Sequence, residues 1–149
     1  MDPLSFTASI IAVVTIAIQV AQSLQKLKVM HDASDALCAV INEVTDLGLV
    51  LSQINMIVDS QKSEGEALDP VFSCISRIAE QIKVNLLRLD NRIHIRLLKP
   101  VIAREGHQVR RIVWLREKSS ILKIQDRLRI LRLGLVASIG ARSLYCKPS

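Results

Sequence analysis

At 149 residues the chain has the length of one domain with a sizeable core, and not of two. Half of it is hydrophobic, yet only Phe6, Phe72, Trp114 and Tyr145 are aromatic, so the core must be built from Leu, Ile, Val and Ala. Five Gly and four Pro are too few for a series of hairpins, which argues against an all-β domain, and the net charge of +6 asks for an acidic counterpart.

Residues 1–25 could pass for a leader or a membrane span, since no charge falls between Leu4 and Gln25. A signal peptide needs a basic start, and the early charge here is Asp2. A span needs about twenty mostly apolar residues. This stretch is dense only from Ala8 to Ile18 and is interrupted by Thr15, Gln19, Gln22, Ser23 and Gln25. It reads as the first helix of a soluble domain, started by Asp2-Pro3 and running to about Val29. One face carries Ile10, Val13, Ala17, Val20, Leu24 and Leu27 at spacings of three and four. The opposite stripe, Thr15, Gln19, Gln22 and Lys26, fades into Ala8 and Ala12, so the segment from Leu4 to Ile18 is expected to have no ordinary solvent face. The simplest account places this helix at the centre of a bundle, wrapped by the others.

A second helix is expected from a cap at Asp32 to about Ser60, with Val40, Val44, Leu47, Leu51, Ile54 and Val58 inward. Residues 60–68 are polar and aperiodic, a loop. Asp69-Pro70 repeats the start signal, and a third stripe follows: Phe72, Ile75, Ala79, Ile82, Leu86, Leu89 and Ile93. Pro100 and Gly106 mark a break, after which a last helix begins between Arg110 and Ser120 and turns Ile121, Ile124, Leu128, Leu131 and Leu135 to one side. Stripes this narrow must be buried against one another. The expected fold is all-α, an up-down bundle of four to five helices forming a single domain over residues 1–149, with Ile10, Val13, Val44, Leu47, Leu51, Ile75, Ile82, Leu86, Ile124 and Leu128 in one core.

Charge is divided along the chain. Residues 1–80 hold four basic and ten acidic side chains, whereas Lys83 to Arg132 hold fourteen basic ones against Asp90, Glu105, Glu117 and Asp126. Three readings compete for the basic half: a solvated face neutralised by the acidic second helix, an anionic membrane surface, and nucleic acid. Nucleic acid is disfavoured because no aromatic but Trp114 is interleaved with the basic residues. Arg88, Arg92, Arg96, Arg110 and Arg111 are the candidate contacts to an anionic surface, and reversing the first three together is expected to leave the fold intact.

Nothing in the chain assembles a catalytic or cofactor motif. Cys38, Cys74 and Cys146 are odd in number and lack metal-type spacing, so they read as packed or incidental thiols of a reducing, cytoplasmic compartment. His31, His94 and His107 form no ligand pair, and no phosphate-binding glycine loop or nucleophile elbow is present. The expectation is a protein without cofactor or metal that is not an enzyme.

The opening Met-Asp-Pro-Leu-Ser-Phe-Thr-Ala-Ser-Ile-Ile-Ala-Val-Val resembles the start of the HeLo-like N-terminal domains of fungal STAND (NLR-like) proteins, the type also named after the azaphilone pigment cluster protein L. The likeness continues at Glu43, Val44, Leu47, Val50 and Leu51, and again around Trp114 in Arg-Ile-Val-Trp-Leu-Arg-Glu-Lys. The resemblance implies a helical bundle that is clustered by a nucleotide-binding module and, in some members, releases its first helix into membranes. This sequence stops at Ser149, which leaves open a fragment of such a protein or a member clustered in trans. The function expected is therefore a signalling or effector module of a fungal cell-death system that self-associates, works with an NLR-type partner, and engages an anionic membrane through Leu4, Ile10, Ile11, Val13, Val14 and Ile18. A passive protein–protein adaptor is the alternative, and a nucleic-acid binder the third reading.

Overall fold

The computed structural model describes residues 3–30, 35–62, 70–98 and 107–145. Four helices make it up: α1 (Pro3–Met30), α2 (Asp35–Lys62), α3 (Val71–Arg92), which runs on through a π-helical Ile93–Leu98, and α4 (His107–Tyr145). No strand occurs among the described residues, and the chain is an all-α bundle as its periodicity predicts.

The helix starts follow from local chemistry. Pro3 opens α1, where its missing N–H would have had no intrahelical acceptor. Pro70 instead sits one residue ahead of α3, without a side-chain cap, and its carbonyl accepts from the Ser73 N–H at 3.0 Å. The expected caps Asp2, Asp32 and Asp69 lie outside the described residues. Helix α4 begins at His107, ahead of the expected Arg110–Ser120 window, and spans 39 residues. The π-helical extension of α3 was not expected. Its slower winding keeps Leu97 beneath Ile93 and swings Leu98 inward too, so that all three are buried.

Neighbouring helices are α1 with α2, α1 with α3, α2 with α4, and α3 with α4, which leaves α1/α4 and α2/α3 as diagonals. Phe6 of α1 meets Phe72 of α3 edge to face at 5.4 Å, and Ser23 of α1 reaches His94 beyond the other end of α3, so these two helices run parallel. Gly48 of α2 lies opposite Ala17 of α1, and Gly134 of α4 opposite Ile78 of α3, with α2 and α4 running the other way. The bundle is up-down, and α1 occupies a corner of it. This corrects the expectation of a central α1: Leu4, Ile11 and Ile18 are 69%, 51% and 53% exposed. A corner helix buries one stripe, here Phe6, Ile10, Val13, Ala17, Val20, Leu24 and Leu27, and turns the rest outward.

All ten expected core positions pack in one cluster, nine of them buried and Ile124 half-buried at its edge. Leu47→Ala should therefore cost about 2–5 kcal/mol in denaturant unfolding, through lost transfer energy and the cavity left behind. Gly48 offers the opposite change. A Cβ there would stand 3.9 Å from Ala17 Cβ, an ordinary contact, so Gly48→Ala should stabilise the domain by about 0.5–1 kcal/mol.

Candidate interaction surfaces

The face formed by α1 and α2 is free of ionisable groups along a groove of about 470 Å³ lined by Val14, Ala17, Ile18, Ala21, Gln22 and Gln25 from α1 and Val44, Thr45, Gly48, Leu49 and Ser52 from α2. Its polar hydroxyls are already engaged. Thr45 Oγ1 donates to the Ile41 carbonyl at 2.8 Å and Ser52 Oγ to that of Gly48 at 2.8 Å, while Thr15 Oγ1 donates to Ile11 at 2.9 Å on the adjoining surface. Internal bonding of this kind makes the face behave as apolar. Large aliphatics stand out along it at heptad spacing: Leu4, Ile11 and Ile18 on α1, and Leu49 and Met56 on α2, the last 71% exposed. Of the six candidate residues on α1, Ile10 and Val13 are fully buried in the core, Val14 is half-buried in the groove, and Leu4, Ile11 and Ile18 are exposed. Leu49 and Met56 escaped notice in the sequence, although their seven-residue interval was the available signal.

The opposite face, between α3 and α4, is cationic. Two adjoining hollows of about 610 and 650 Å³ share Arg88, Lys123 and Ile124; Arg127 lines the first, and Arg92 and Arg96 the second. Arg92 is the exception among these cations, because its Nη1 donates to Oε2 of the buried Glu117 at 2.8 Å. Reversing it would set two carboxylates together in the interior. The expectation that Arg88, Arg92 and Arg96 can be reversed jointly without harm is thus wrong for Arg92. Arg88, Arg96, Lys123 and Arg127 have no carboxylate partner among the described residues. Arg110 and Arg111 belong to the first turn of α4, and their side chains lie outside the described residues. Lys123 and Arg127, four apart on α4, were missed as the second wall of this groove.

Ion pairs hold α4 on two sides. Besides Arg92–Glu117, Arg132 Nε donates to Oε1 of Glu43 on α2 at 2.7 Å, and Glu43 is buried. That hydrogen bond, more than the attraction of Glu43 and Asp46, holds the Arg132 guanidinium above its ordinary pKa in spite of desolvation. Stability from a raised pKa is complete below the unfolded-state value, so this pair contributes undiminished at neutral pH. By contrast, α1 has a neutral polar link, Ser23 Oγ to His94 Nε2 at 3.2 Å. His94 Nε2 also faces Asp90 Oδ1 at 3.3 Å. Serine and aspartate thus share one ring nitrogen, which is not the relay of a hydrolytic triad, where they engage opposite nitrogens. Thr7 Oγ1 and Asn55 Oδ1 are buried without a partner. Thr7 lies one heptad before Val14, and Asn55 one heptad after Gly48, which puts both on the α1/α2 seam. Cys38 is half-buried and Cys74 exposed, both as free thiols.

Such an arrangement defines a class: an all-α four-helix bundle with a groove free of ionisable groups on one side and a cationic one on the other. The chain belongs to the family described as pigment biosynthesis cluster protein PigL N-terminal, whose model matches residues 1–92, and which is typical of fungal NLR HeLo-like N-terminal domains. The matched stretch ends with α3, short of Trp114 and of the α4 wall of the cationic groove. No curated protein and no solved structure matches the chain.

Removing Arg132 should reveal how far α4 depends on its tethers. Arg132→Ala strands the Glu43 carboxylate in a largely dry site and should cost roughly 3 kcal/mol in chemical denaturation, and Arg132→Ala/Glu43→Leu should recover most of it.

Proposed function

We propose that this domain is a signalling module of the fungal NLR type that works by self-association, with its uncharged α1/α2 face as the contact between copies. The observation that carries this reading is the row of exposed Leu4, Ile11, Ile18, Leu49 and Met56 on a face without ionisable groups in its groove. Each other face is charged: Glu43, Asp46 and Arg132 lie between α2 and α4, Lys26, Asp90 and His94 between α1 and α3, and the basic groove between α3 and α4. Two copies of a chain with net charge +6 meet most favourably at a groove whose lining brings no charge.

Membrane engagement by α1 is the further step of the same reading, in a protein held in the cytoplasm until it is clustered. Both α1 and α2 are long and apolar enough to cross a bilayer, with mean hydropathy 2.1 and 1.4 over their most apolar windows, as core helices of soluble proteins also can be. Energetics decide the route. Phe6, Ile10, Val13, Val20, Leu24 and Leu27 are wholly buried, and at about 1.5–3 kcal/mol each their exposure to water would cost roughly 9–18 kcal/mol, comparable with the entire stability of a domain. Helix α1 therefore leaves the bundle only where lipid receives its stripe, and clustering at a membrane must come first. The adaptor reading rests on the same burial: without lipid, α1 stays core.

Ile11 provides the test because it is exposed, so Ile11→Glu should shift stability by less than about 0.5 kcal/mol. The variant should lose concentration-dependent self-association in sedimentation equilibrium. It should also fail to release dye from anionic liposomes when fused to a forced-clustering tag, given the roughly 2.5–3.5 kcal/mol that a carboxylate costs at the centre of a membrane helix. Undiminished association of the variant removes the α1/α2 face from the account. Association without leakage by the parent chain leaves the adaptor.

A further inference from the structure

We propose that the groove between α3 and α4 is a binding site for a lipid headgroup carrying more than one phosphate. It stands apart from the α1/α2 face, and its failure would leave the self-association reading untouched.

Arg88, Arg92 and Arg96 follow one another at four-residue steps on α3, so they form a row about 12 Å long. Lys123 and Arg127 form a shorter row on α4, facing it across the hollows they line together. Arg92 is neutralised by Glu117, while Arg88, Arg96, Lys123 and Arg127 are unpaired among the described residues. Four cations spread over two walls and about 12 Å of α3 carry more positive charge than one phosphate neutralises. Two or more phosphates on one compact frame can meet them all, and guanidinium groups suit phosphate oxygens in geometry as well as charge. Glu80 closes the far end of the first hollow and limits the anion on that side to the part lined by Arg88, Lys123 and Arg127.

The apolar residues settle the source in favour of a lipid. Val84 and Ile95 are 47% and 54% exposed beside these arginines, and the half-buried Ile124 joins the two hollows. A free polyanion gains nothing from them, whereas a bilayer interface covers aliphatic and cationic groups together. Nucleic acid would call for stacking rings, and the groove has none.

Co-sedimentation of the full chain with phosphatidylcholine vesicles containing a phosphatidylinositol bisphosphate, and with vesicles matched in total charge by phosphatidylserine, tests the site. Binding should be on the order of tenfold tighter to the first. Lys123→Glu/Arg127→Glu should abolish that preference, while Lys26→Glu/Lys118→Glu, an equal change of net charge away from the groove, should preserve it. The neutral pair Lys123→Gln/Arg127→Gln, checked by circular dichroism, serves if the reversal unfolds α4 and should also lose the preference. Equal binding to charge-matched vesicles, or equal losses in groove and control variants, overturns the site in favour of a diffuse positive field. Soluble inositol trisphosphate binding as tightly as the vesicles overturns the lipid source, and a single-stranded oligonucleotide displacing the vesicles at lower concentration overturns the ligand class.

Discussion

Everything outside the core of this bundle is set by how its four aliphatic stripes leave water together. Each stripe is narrow, with steps of three and four residues, so burying it fixes the rotation of its helix about its own axis as well as its position. Once Ile10, Val13 and Ala17 face inward, Leu4, Ile11 and Ile18 have nowhere to go but the outer α2 side. Once Ile82, Leu86 and Leu89 do so, Arg88, Arg92 and Arg96 must line up towards α4. The two surfaces proposed to carry function are thus consequences of the core, and a change that rotated one helix would move its surface with it.

Helices α1 and α4 are held in different ways, although both sit at corners. Helix α4 is fastened by Glu43–Arg132 and Glu117–Arg92, pairs whose carboxylates are buried and whose loss leaves a charge without solvent. Helix α1 is held by apolar packing, with Ser23–His94 as a polar contact and the unpartnered Thr7 and Asn55 atoms on its seam with α2. Each such buried atom weakens that seam by about 1–3 kcal/mol relative to a satisfied one. Apolar packing is non-directional and lipid can replace it, whereas a buried ion pair has no equivalent in a bilayer. The difference favours α1 over α4 as the helix to exchange its neighbours in the proposed membrane step.

Much of the architecture was legible in the sequence because periodicity reports burial directly. Ile10, Val44, Leu51, Ile75 and Leu128 could be assigned to the core from spacing alone. The position of α1 could not, since an apolar helix at the centre of a bundle and one at a corner with an exposed aliphatic face have the same composition. Periodicity identifies one buried stripe and says nothing of what covers the other side. The start of α4 was placed too late because its first turns show a weaker stripe, in which Trp114 and Glu117 are the inward positions over residues 112–120. An inward glutamate reads as a break in a hydrophobic pattern until Arg92 is found beside it, and that pairing spans 25 residues of sequence. The arginine row on α3 was visible as a row. Its conversion into a groove required Lys123 and Arg127, which only the antiparallel packing of α3 and α4 brings across from it.

The two faces lie on opposite sides of a structure two helices thick, about 20 Å. A bundle resting its α3/α4 groove on anionic headgroups therefore holds α1 and α2 away from the bilayer, where Leu4, Ile11 and Ile18 cannot touch lipid. This geometry separates two events that a list of basic and apolar residues would merge. Docking through charge concentrates copies on a surface with their α1/α2 faces turned towards solvent, so two copies on one membrane bring those faces together only by tilting. Insertion of α1 requires the bundle to turn over and then to open, the second step at a cost comparable with its whole stability. Charge-driven docking and apolar self-association each leave the domain folded, whereas insertion of α1 has to draw on the energy of many clustered copies, because unpacking its buried stripe costs one bundle about as much as its whole stability.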